Sequence, residues 1–514
     1  MFIENIAVNL LNVTHRPITK PIRQGEILSI NYNNIDLSIT PKVNLFIGGE
    51  YTPAMAGDYF ERLDPSTDLV ASRAASGRLE DAEHMAAVAA ANFSKWSTTE
   101  VTERAEILRR AKRLMPKYRD RFAQLMLKEI GAVGDWVDFN IKVAGEAIEA
   151  AVALALKYPS NSPIDETSDS YTVRQPVGVC LAIAPWNAPI VLAMRSVVFP
   201  LAFGNSVILK ASELSPATHS LIAEVLHEAG VPKGVISVMT NAPEHSEEVI
   251  ASLIANPSIR RVNFTGSTRI GKIIAGLAAQ HLKRCLLELG GKSPLIVLKD
   301  ADLQQAAREA VYGAFLNQGQ ICMATDRIIV EQVIADEFIG ILKEMVADLV
   351  SGDPRRKGVK LGPVASPSIA SRLSALIEDA LDKGATLISG TQRRGQFIDA
   401  TLLDHITPMM RIYSEECFGP IAGIYRVDSP QEAITVANNC EYGLASAIFT
   451  RDLTLARSLA NQLESGMCHI NSSTVKDDPA MPFGGLKSSG YGRFGSDACV
   501  DEFTEVRWIT VAPP

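Results

Sequence analysis

Cysteine is scarce in this chain: seven in 514 residues, at Cys180, Cys285, Cys322, Cys417, Cys440, Cys468 and Cys499, an odd number with no CxxC pair. That excludes a disulfide framework and fits free thiols in a reducing, cytoplasmic setting. Histidine is as sparse, eight in all, with no HExxH and no Cys/His cluster at zinc spacing, so no metal is expected. A basic excess is missing too. Lys and Arg number 50 against 58 Asp and Glu, without a basic block, which argues against nucleic acid as a partner. Hydrophobic residues make up 47%, yet Arg195, Pro200 and Asn205 interrupt the longest apolar run before it reaches membrane-spanning length, and a soluble protein is expected. GxGxxG occurs once, at Gly490–Gly495 near the end of the chain and not at a strand-to-helix junction, so the usual dinucleotide fingerprint is absent, as are internal repeats and low-complexity tracts.

What remains is long enough for two or three domains. Residues 1–42 are rich in Asn, Ile and Pro without a clear period; Asn9 and Asn12 break any secretory apolar core, so they read as a flexible arm or an over-long translation start. Asn44 to Gly49 reads as a strand ending in a glycine turn. Leu79–Trp96, Val101–Ile130 and Val133–Tyr158 have the spacing of three amphipathic helices. From Val177 strands and helices alternate: strands Val177–Ala184, Ser206–Lys210, Val235–Met239 and Arg261–Phe264, with helices Pro189–Phe203, Pro216–Glu228, Ser246–Ala255 and Thr268–Ala279. This order predicts an α/β fold with a doubly wound parallel sheet, whose ligands bind at the carboxyl ends of the strands. A second alternating segment runs from Glu288 to about residue 485.

Between those halves lies the most informative stretch. It opens with Glu288-Leu289-Gly290-Gly291-Lys292-Ser293-Pro294 and closes with Gln318-Gly319-Gln320-Ile321-Cys322. A carboxylate and a thiol stand at the ends of one strand–helix–loop unit, flanked by glycines that let backbone approach a ligand. A thiol attacks as thiolate, so a catalytic cysteine needs a polarising environment and usually a base for a later step. These two motifs, in this order, resemble those of the NAD(P)-dependent aldehyde dehydrogenases, and the likeness extends over roughly residues 43 to 511.

The resemblance implies roles residue by residue. Cys322 is the nucleophile, Glu288 the base that activates water, and the Asn187 amide, in Pro185-Trp186-Asn187, an oxyanion donor beside the Cys322 backbone N–H. Family members that pass the acyl group to coenzyme A commonly lack a glutamate at the position of Glu288, so a free acid is the expected product. For NAD, Lys210 and Glu213 match the pair on the adenosine ribose, and Gly266, Ser267 and Gly271 match the pyrophosphate loop at a helix start. A carboxylate at Glu213 would repel a 2′-phosphate, which favours NAD over NADP. Glu416 and Phe418 match the nicotinamide-ribose glutamate and the aromatic lying against the cofactor. Read without the resemblance, Asn187 is a turn residue, Gly266-Ser267 a helix cap, Glu288 a strand glutamate paired with Lys283 or Arg284, and Phe418 core. Where many relatives carry glutamate after the arginine matching Arg493, this chain has Phe494.

Ala188 is small where many relatives have a bulky aromatic, leaving room for a ring. Arg195, two helical turns on, can meet a phenolate or carboxylate of the substrate or pair with a structural acid; Trp136 is an apolar wall or core. With the stretches His281–Gly291 and Tyr491–Gly495, this resembles bacterial aromatic-aldehyde dehydrogenases of the salicylaldehyde and vanillin type. The competing readings are an aliphatic or semialdehyde dehydrogenase of the same fold, a cofactor-free thiol esterase, and a non-catalytic protein that keeps the fold. The implied architecture is a cofactor domain over 43–157 and 177–289, a catalytic domain over 290–490, and a small β oligomerisation element from 158–176 and 491–514. Tyr171–Val177 there pairs with Glu502–Val511 in a homodimer or homotetramer.

Overall fold

The computed structural model describes residues 37–160, 163–166, 170–390 and 392–512. The arm expected over 1–42 therefore lies outside the described residues as far as residue 36. Lys42–Val43 is already a strand, running parallel to Val70–Ala75.

An eight-stranded sheet carries the first half. Five of its strands are parallel, in the spatial order Arg284–Glu288, Ile259–Thr265, Val179–Ile183, Ser206–Lys210, Ile236–Met239. The chain starts in the middle and winds first one way, then the other, so the strand order reverses between Val179–Ile183 and Ile259–Thr265. Loops leaving those two strands diverge and open a crevice at the carboxyl ends. Leu45–Ile47 and Glu50–Thr52 extend one edge as an antiparallel hairpin. At the other edge Gly490–Tyr491 pairs antiparallel with Leu287 and Glu288, so residues expected at the junction of catalytic domain and tail instead close the Glu288 strand.

A seven-stranded sheet follows, in the order Thr386–Ser389, Thr401–Asp404, Ile421–Val427, Thr325–Glu331, Ser293–Val297, Ala445–Phe449, Met467–Ile470, parallel apart from its first strand. Its central strands are buried throughout, as is Val179–Ile183 in the first sheet. Sheets covered on both faces carry continuous apolar runs such as Leu295–Val297 and Ile328–Val330 at their centre. Helix Pro189–Ala202 is buried along its whole length between the first sheet and helix Gly134–Lys157, which explains why its sequence reads as the longest apolar run. No helix among the described residues is long and apolar enough to cross a membrane.

The third sheet is antiparallel: Thr504–Thr510 lies along Ser170–Pro176, with Thr504 opposite Pro176 and Thr510 opposite Ser170, and Pro163–Glu166 on the far side. Two features differ from the sequence reading. The helix expected over Val101–Ile130 is two helices, Val101–Leu114 and Arg119–Ile130, joined by a 3-10 turn at Met115–Tyr118; Pro116 has no N–H to donate and breaks the ladder. Strands Tyr59–Leu63 and Val70–Ala75, absent from that reading, form the small sheet with Lys42–Val43.

Candidate active site

The loop carrying Cys322 begins where helix Leu303–Phe315 ends. Three consecutive residues take left-handed backbone, Asn317 (φ 48°), Gln318 (φ 57°) and Gly319 (φ 66°). Such conformations cost side-chain-bearing residues energy and persist where surroundings over-determine them. The surroundings are polar and specific: the Asn317 amide donates to the Asn187 carbonyl at 3.1 Å, Gln318 Nε2 to Pro363 O at 3.2 Å, and Gln320 Oε1 accepts from the Ala365 N–H at 2.9 Å. Gly319 has no alternative, because a Cβ there would lie 2.2 Å from the Gly419 carbonyl oxygen. Arg62 braces the same segment, donating to Ala365 O (2.7 Å) and Glu129 O (2.8 Å).

The two ends of the glycine-flanked unit converge. A Cβ on Gly291 would sit 2.2 Å from the Cys322 carbonyl oxygen. Cys322 is half-buried, and its thiol is pushed up to about 12 by burial first and then by the charges of Glu288, Glu416 and Asp477, with Arg195 opposing. Glu288 ends the strand Arg284–Glu288 and is 3% exposed, and neither of its carboxyl oxygens has a hydrogen-bond partner. Burial holds it well above the usual carboxylate range, while Arg195 and Arg493 pull it back and Asp477 and Glu502 push it further. Neither basic neighbour in sequence pairs with it: Arg284 faces Glu502 at 3.7 Å, and Lys283 bonds the carbonyls of Ile254 and Asn256.

Asn187 joins the two halves. It lies beyond the strand Val179–Ile183 in the switch-point crevice, and its side-chain amide donates to Gln320 O at 2.9 Å, two residues before Cys322. An amide carries two hydrogens; this bond uses one. The Asn187 carbonyl accepts from the indole N–H of Trp136 at 2.8 Å. Trp136 is buried and stacks on Phe139, with ring centroids 4.9 Å apart, so it fixes Asn187 from behind. Ala188 is buried next to it, just before helix Pro189–Ala202. Arg195 departs from the substrate-facing expectation. Its Nη2 lies 2.5 and 2.6 Å from the two Asp477 oxygens, with both side chains buried, and its guanidinium rides 4.5 Å over the Phe483 ring.

The residues likened to a cofactor site have the chemistry to hold a dinucleotide. Lys210 is buried at the end of its strand, with the half-exposed Glu213 carboxylate 3.9 Å from its Nζ. Helix Thr268–Gln280 opens with no acidic residue in its first turn and is capped by Ser267 accepting from Ile270 N–H. Its positive end is thus uncompensated and partly exposed. Gly266 and Gly271 are packing requirements, since a Cβ at either would lie 2.4 Å from the Phe264 ring or the Leu289 side chain. Glu416 accepts from the Gly291 N–H at 2.9 Å, and a Cβ on Gly290 would lie 2.7 Å from it; burial raises Glu416 to about 7. Phe418 is half-buried, has left-handed backbone (φ 47°) and meets Trp186 edge-on at 5.7 Å, which is not a core residue's setting. Among the described residues no group of three or more His, Cys, Asp or Glu could hold a metal ion.

Several residues of the site carried no signal in the sequence. Asp477, Asn317 and Arg62 reach it across 282, 130 and 303 residues, to Arg195, Asn187 and Ala365 respectively, and no local period marks such contacts. Phe494, left without a role, is buried against Phe199 and Phe503 and exchanges two backbone hydrogen bonds with Phe483.

Two wound sheets, with a thiol from one and a carboxyl from the other meeting in the crevice, define a two-lobed α/β enzyme. The family model for the aldehyde dehydrogenase family matches residues 51–509, and the chain belongs to that family. It is 46% identical over 474 residues to a vanillin dehydrogenase of Pseudomonas fluorescens, covering 91% of this chain and 98% of that protein. It is 44% identical over 475 residues to a salicylaldehyde dehydrogenase of Pseudomonas putida (92% and 98%). A crystal structure of a salicylaldehyde dehydrogenase from Pseudomonas putida G7, complexed with salicylaldehyde, superposes with a TM-score of 0.89 at 43% identity, covering 92% of this chain and 99% of that one. The chain is therefore an oxidoreductase acting on an aldehyde with NAD or NADP, since relatives are named for each cofactor.

Proposed function

We propose that this enzyme oxidises an aromatic aldehyde of the salicylaldehyde, vanillin or benzaldehyde type to the free carboxylic acid, with NAD preferred over NADP. The observation carrying the reading is the convergence of Cys322, Glu288 and Asn187 about one crevice, with Gly291 against the Cys322 carbonyl. When bound, the nicotinamide supplies the hydride acceptor; Lys210, Glu213, Gly266, Ser267, Gly271, Glu416 and Phe418 would hold it. Cys322 gives up its proton to solvent, and the thiolate Sγ attacks the aldehyde carbon. The second Asn187 amide hydrogen and the Cys322 backbone N–H steady the oxygen of the tetrahedral adduct. After oxidation to the thioester, Glu288 takes a proton from the water that attacks the acyl carbon, releasing acid and thiol. A carboxyl that burial holds above the ordinary range and that has no fixed partner suits that task, because it binds a proton more strongly than a solvated glutamate.

Two features favour an uncharged ring. Ala188 leaves space beside Asn187. Arg195, the buried cation whose charge acts on the Cys322 thiol, has its Nη2 already held by both Asp477 oxygens, so that nitrogen is not free to pair with the carboxylate of a semialdehyde. The Glu213 carboxylate, near Lys210, favours NAD by opposing a 2′-phosphate. A cytoplasmic homodimer or homotetramer is the setting we infer, from free thiols and an exposed third sheet. The test is absorbance of reduced cofactor when purified protein meets ring aldehydes, straight-chain aldehydes and succinic semialdehyde, each with NAD or NADP. Rates at least about tenfold higher with ring aldehydes and NAD are expected, a modest demand on pocket discrimination. Equal or better turnover of semialdehyde would sink the substrate reading. No reduction with any aldehyde would sink the catalytic assignment.

A further inference from the structure

Behind Glu288 lies a charged group that the reaction scheme leaves without work. Arg195 is buried, yet only its Nη2 is engaged, by Asp477; Nε and Nη1 have no partner, and neither has either Glu288 oxygen. Two unpaired buried donors and a fully unpaired buried carboxyl are each costly, and they occupy one neighbourhood. The connection runs through Phe483-Gly484. The guanidinium sits 4.5 Å over the Phe483 ring, and the position of a Cβ on the next residue, Gly484, is 2.7 Å from Glu288 Oε1. On the opposite side, Ser196 O accepts from Asn263 Nδ2 at 3.2 Å, and Asn263 is paired in register with Leu286 of the Glu288 strand.

We propose that Arg195 is a positioning residue for Glu288: it provides the positive charge against which the carboxyl ionises during release of the acid, and Asp477 sets how much of that charge Glu288 feels. The inference rests on the role given to Glu288 above. The groups facing Glu288 are Arg195 on helix Pro189–Ala202, Asp477 before the Phe483 turn, Arg493 after strand Gly490–Tyr491, Glu502 on the last helix and the Cys322 thiol. Of the two cations, Arg195 acts more strongly, and Asp477 is the larger of the two opposing anions. The pair is therefore adjustable in both directions. Losing the cation makes Glu288 hold its proton to higher pH; losing the anion makes it release the proton at lower pH.

The experiment compares wild type with Arg195→Gln, Arg195→Lys and Asp477→Asn in two measurements. The first needs no cofactor: the pH at which the protonated-carboxyl infrared band, identified by its absence in Glu288→Gln, disappears. The second is the kcat–pH profile for the best ring aldehyde, with the first-turnover burst of reduced cofactor. Arg195→Gln should move band and acid limb upward by about one pH unit, the scale of a single nearby charge. Its burst should persist while kcat on the acid limb of the profile falls by about tenfold, as that shift requires. Asp477→Asn should move both the other way, and Arg195→Lys should stay within a few tenths of wild type. Shifts of the same sign in Arg195→Gln and Asp477→Asn, no shift in either, or a raised aldehyde KM with unchanged kcat would overturn the assignment. Should Arg195→Gln fail to fold, Asp477→Asn alone decides, because a merely structural pair gives no downward shift. If wild type oxidises no aldehyde, the reading of the reaction fails, while the infrared titration still judges the coupling.

Discussion

Glu288 shows how a single residue can be costly to the fold and useful to the reaction. Its carboxyl is buried without a hydrogen bond, and burial raises its pKa well above the ordinary value. Because the folded chain holds that proton more tightly than the unfolded one, the group's contribution to stability is complete below the ordinary glutamate range and is lost as pH rises through the raised folded value. Glu288→Gln keeps the shape and removes the ionisation. Its melting temperature should exceed that of wild type at neutral and alkaline pH, with the gap closing on acidification; a gap independent of pH would show that ionisation is not the cause. Cys322→Ala tests the other half of the pair. Aldehyde oxidation should fall by more than about a thousandfold, as for loss of a nucleophile, while calorimetric titration still shows nicotinamide binding; retained turnover would mean the wrong thiol was chosen. These two residues and Asn187 could be singled out in the sequence through the resemblance of their motifs, whereas read alone Asn187 is a turn residue and Glu288 a strand glutamate. Arg195 was legible only as a charge. Its partner Asp477 lies 282 residues away, and nothing local to either position distinguishes a substrate-facing arginine from a paired one.

At the level of elements, helix and strand positions in the first wound half could be read from periodicity, and Ser206–Lys210, Pro216–Glu228 and Ser246–Ala255 have the expected ends. Reading failed where a proline interrupted an otherwise continuous helical period, at Pro116, and where short strands such as Tyr59–Leu63 owe their existence to a neighbour rather than to their own pattern. The loop at Asn317–Gly319 is a third case, since three left-handed residues in succession are imposed by contacts from Asn187, Pro363 and Ala365. Gly319→Ala should therefore displace Cys322 even though the substitution is small. The added Cβ meets the Gly419 carbonyl oxygen, and misplacing a reacting group by about 1 Å costs about a hundredfold in rate. A kcat/KM within threefold of wild type would show that the loop can relax. Glu416 gives a pH signature at the same scale. Raised to about 7, it gains acceptor capacity for ribose hydroxyls as pH climbs from 6 to 8, so nicotinamide affinity should strengthen across that range in wild type and be flat in Glu416→Gln, measured by cofactor fluorescence quenching.

For the whole molecule, the question is what covers the third sheet. Strand Thr504–Thr510 has Ser170–Pro176 on one side and, among the described residues, no strand on the other. It presents Val506 and Trp508 at 54% and 71% exposure, with Val511 just beyond. An exposed, apolar edge strand invites pairing, and proteins that keep one usually cover it. The sheet is also fastened to the body of the chain: Arg261 donates to Glu505 at 2.7 Å, and Arg174 to Asp501 and Thr504 at 2.6 Å each. An anchored edge with a free side fits a surface completed by a second copy, and a second copy can offer the same edge in return. Replacing both Val506 and Trp508 with Glu puts charges on that edge, sets an acid rather than a like charge opposite Arg174, and leaves Arg261 and the crevice alone. Light scattering should then show wild type as a dimer or tetramer and the double variant as a monomer. Per-subunit activity should fall only as far as the monomer's lower thermal stability requires, because Cys322, Glu288 and Asn187 all come from one chain. An unchanged mass for the double variant would mean that the subunits meet elsewhere and that Trp508 stands exposed for some other reason.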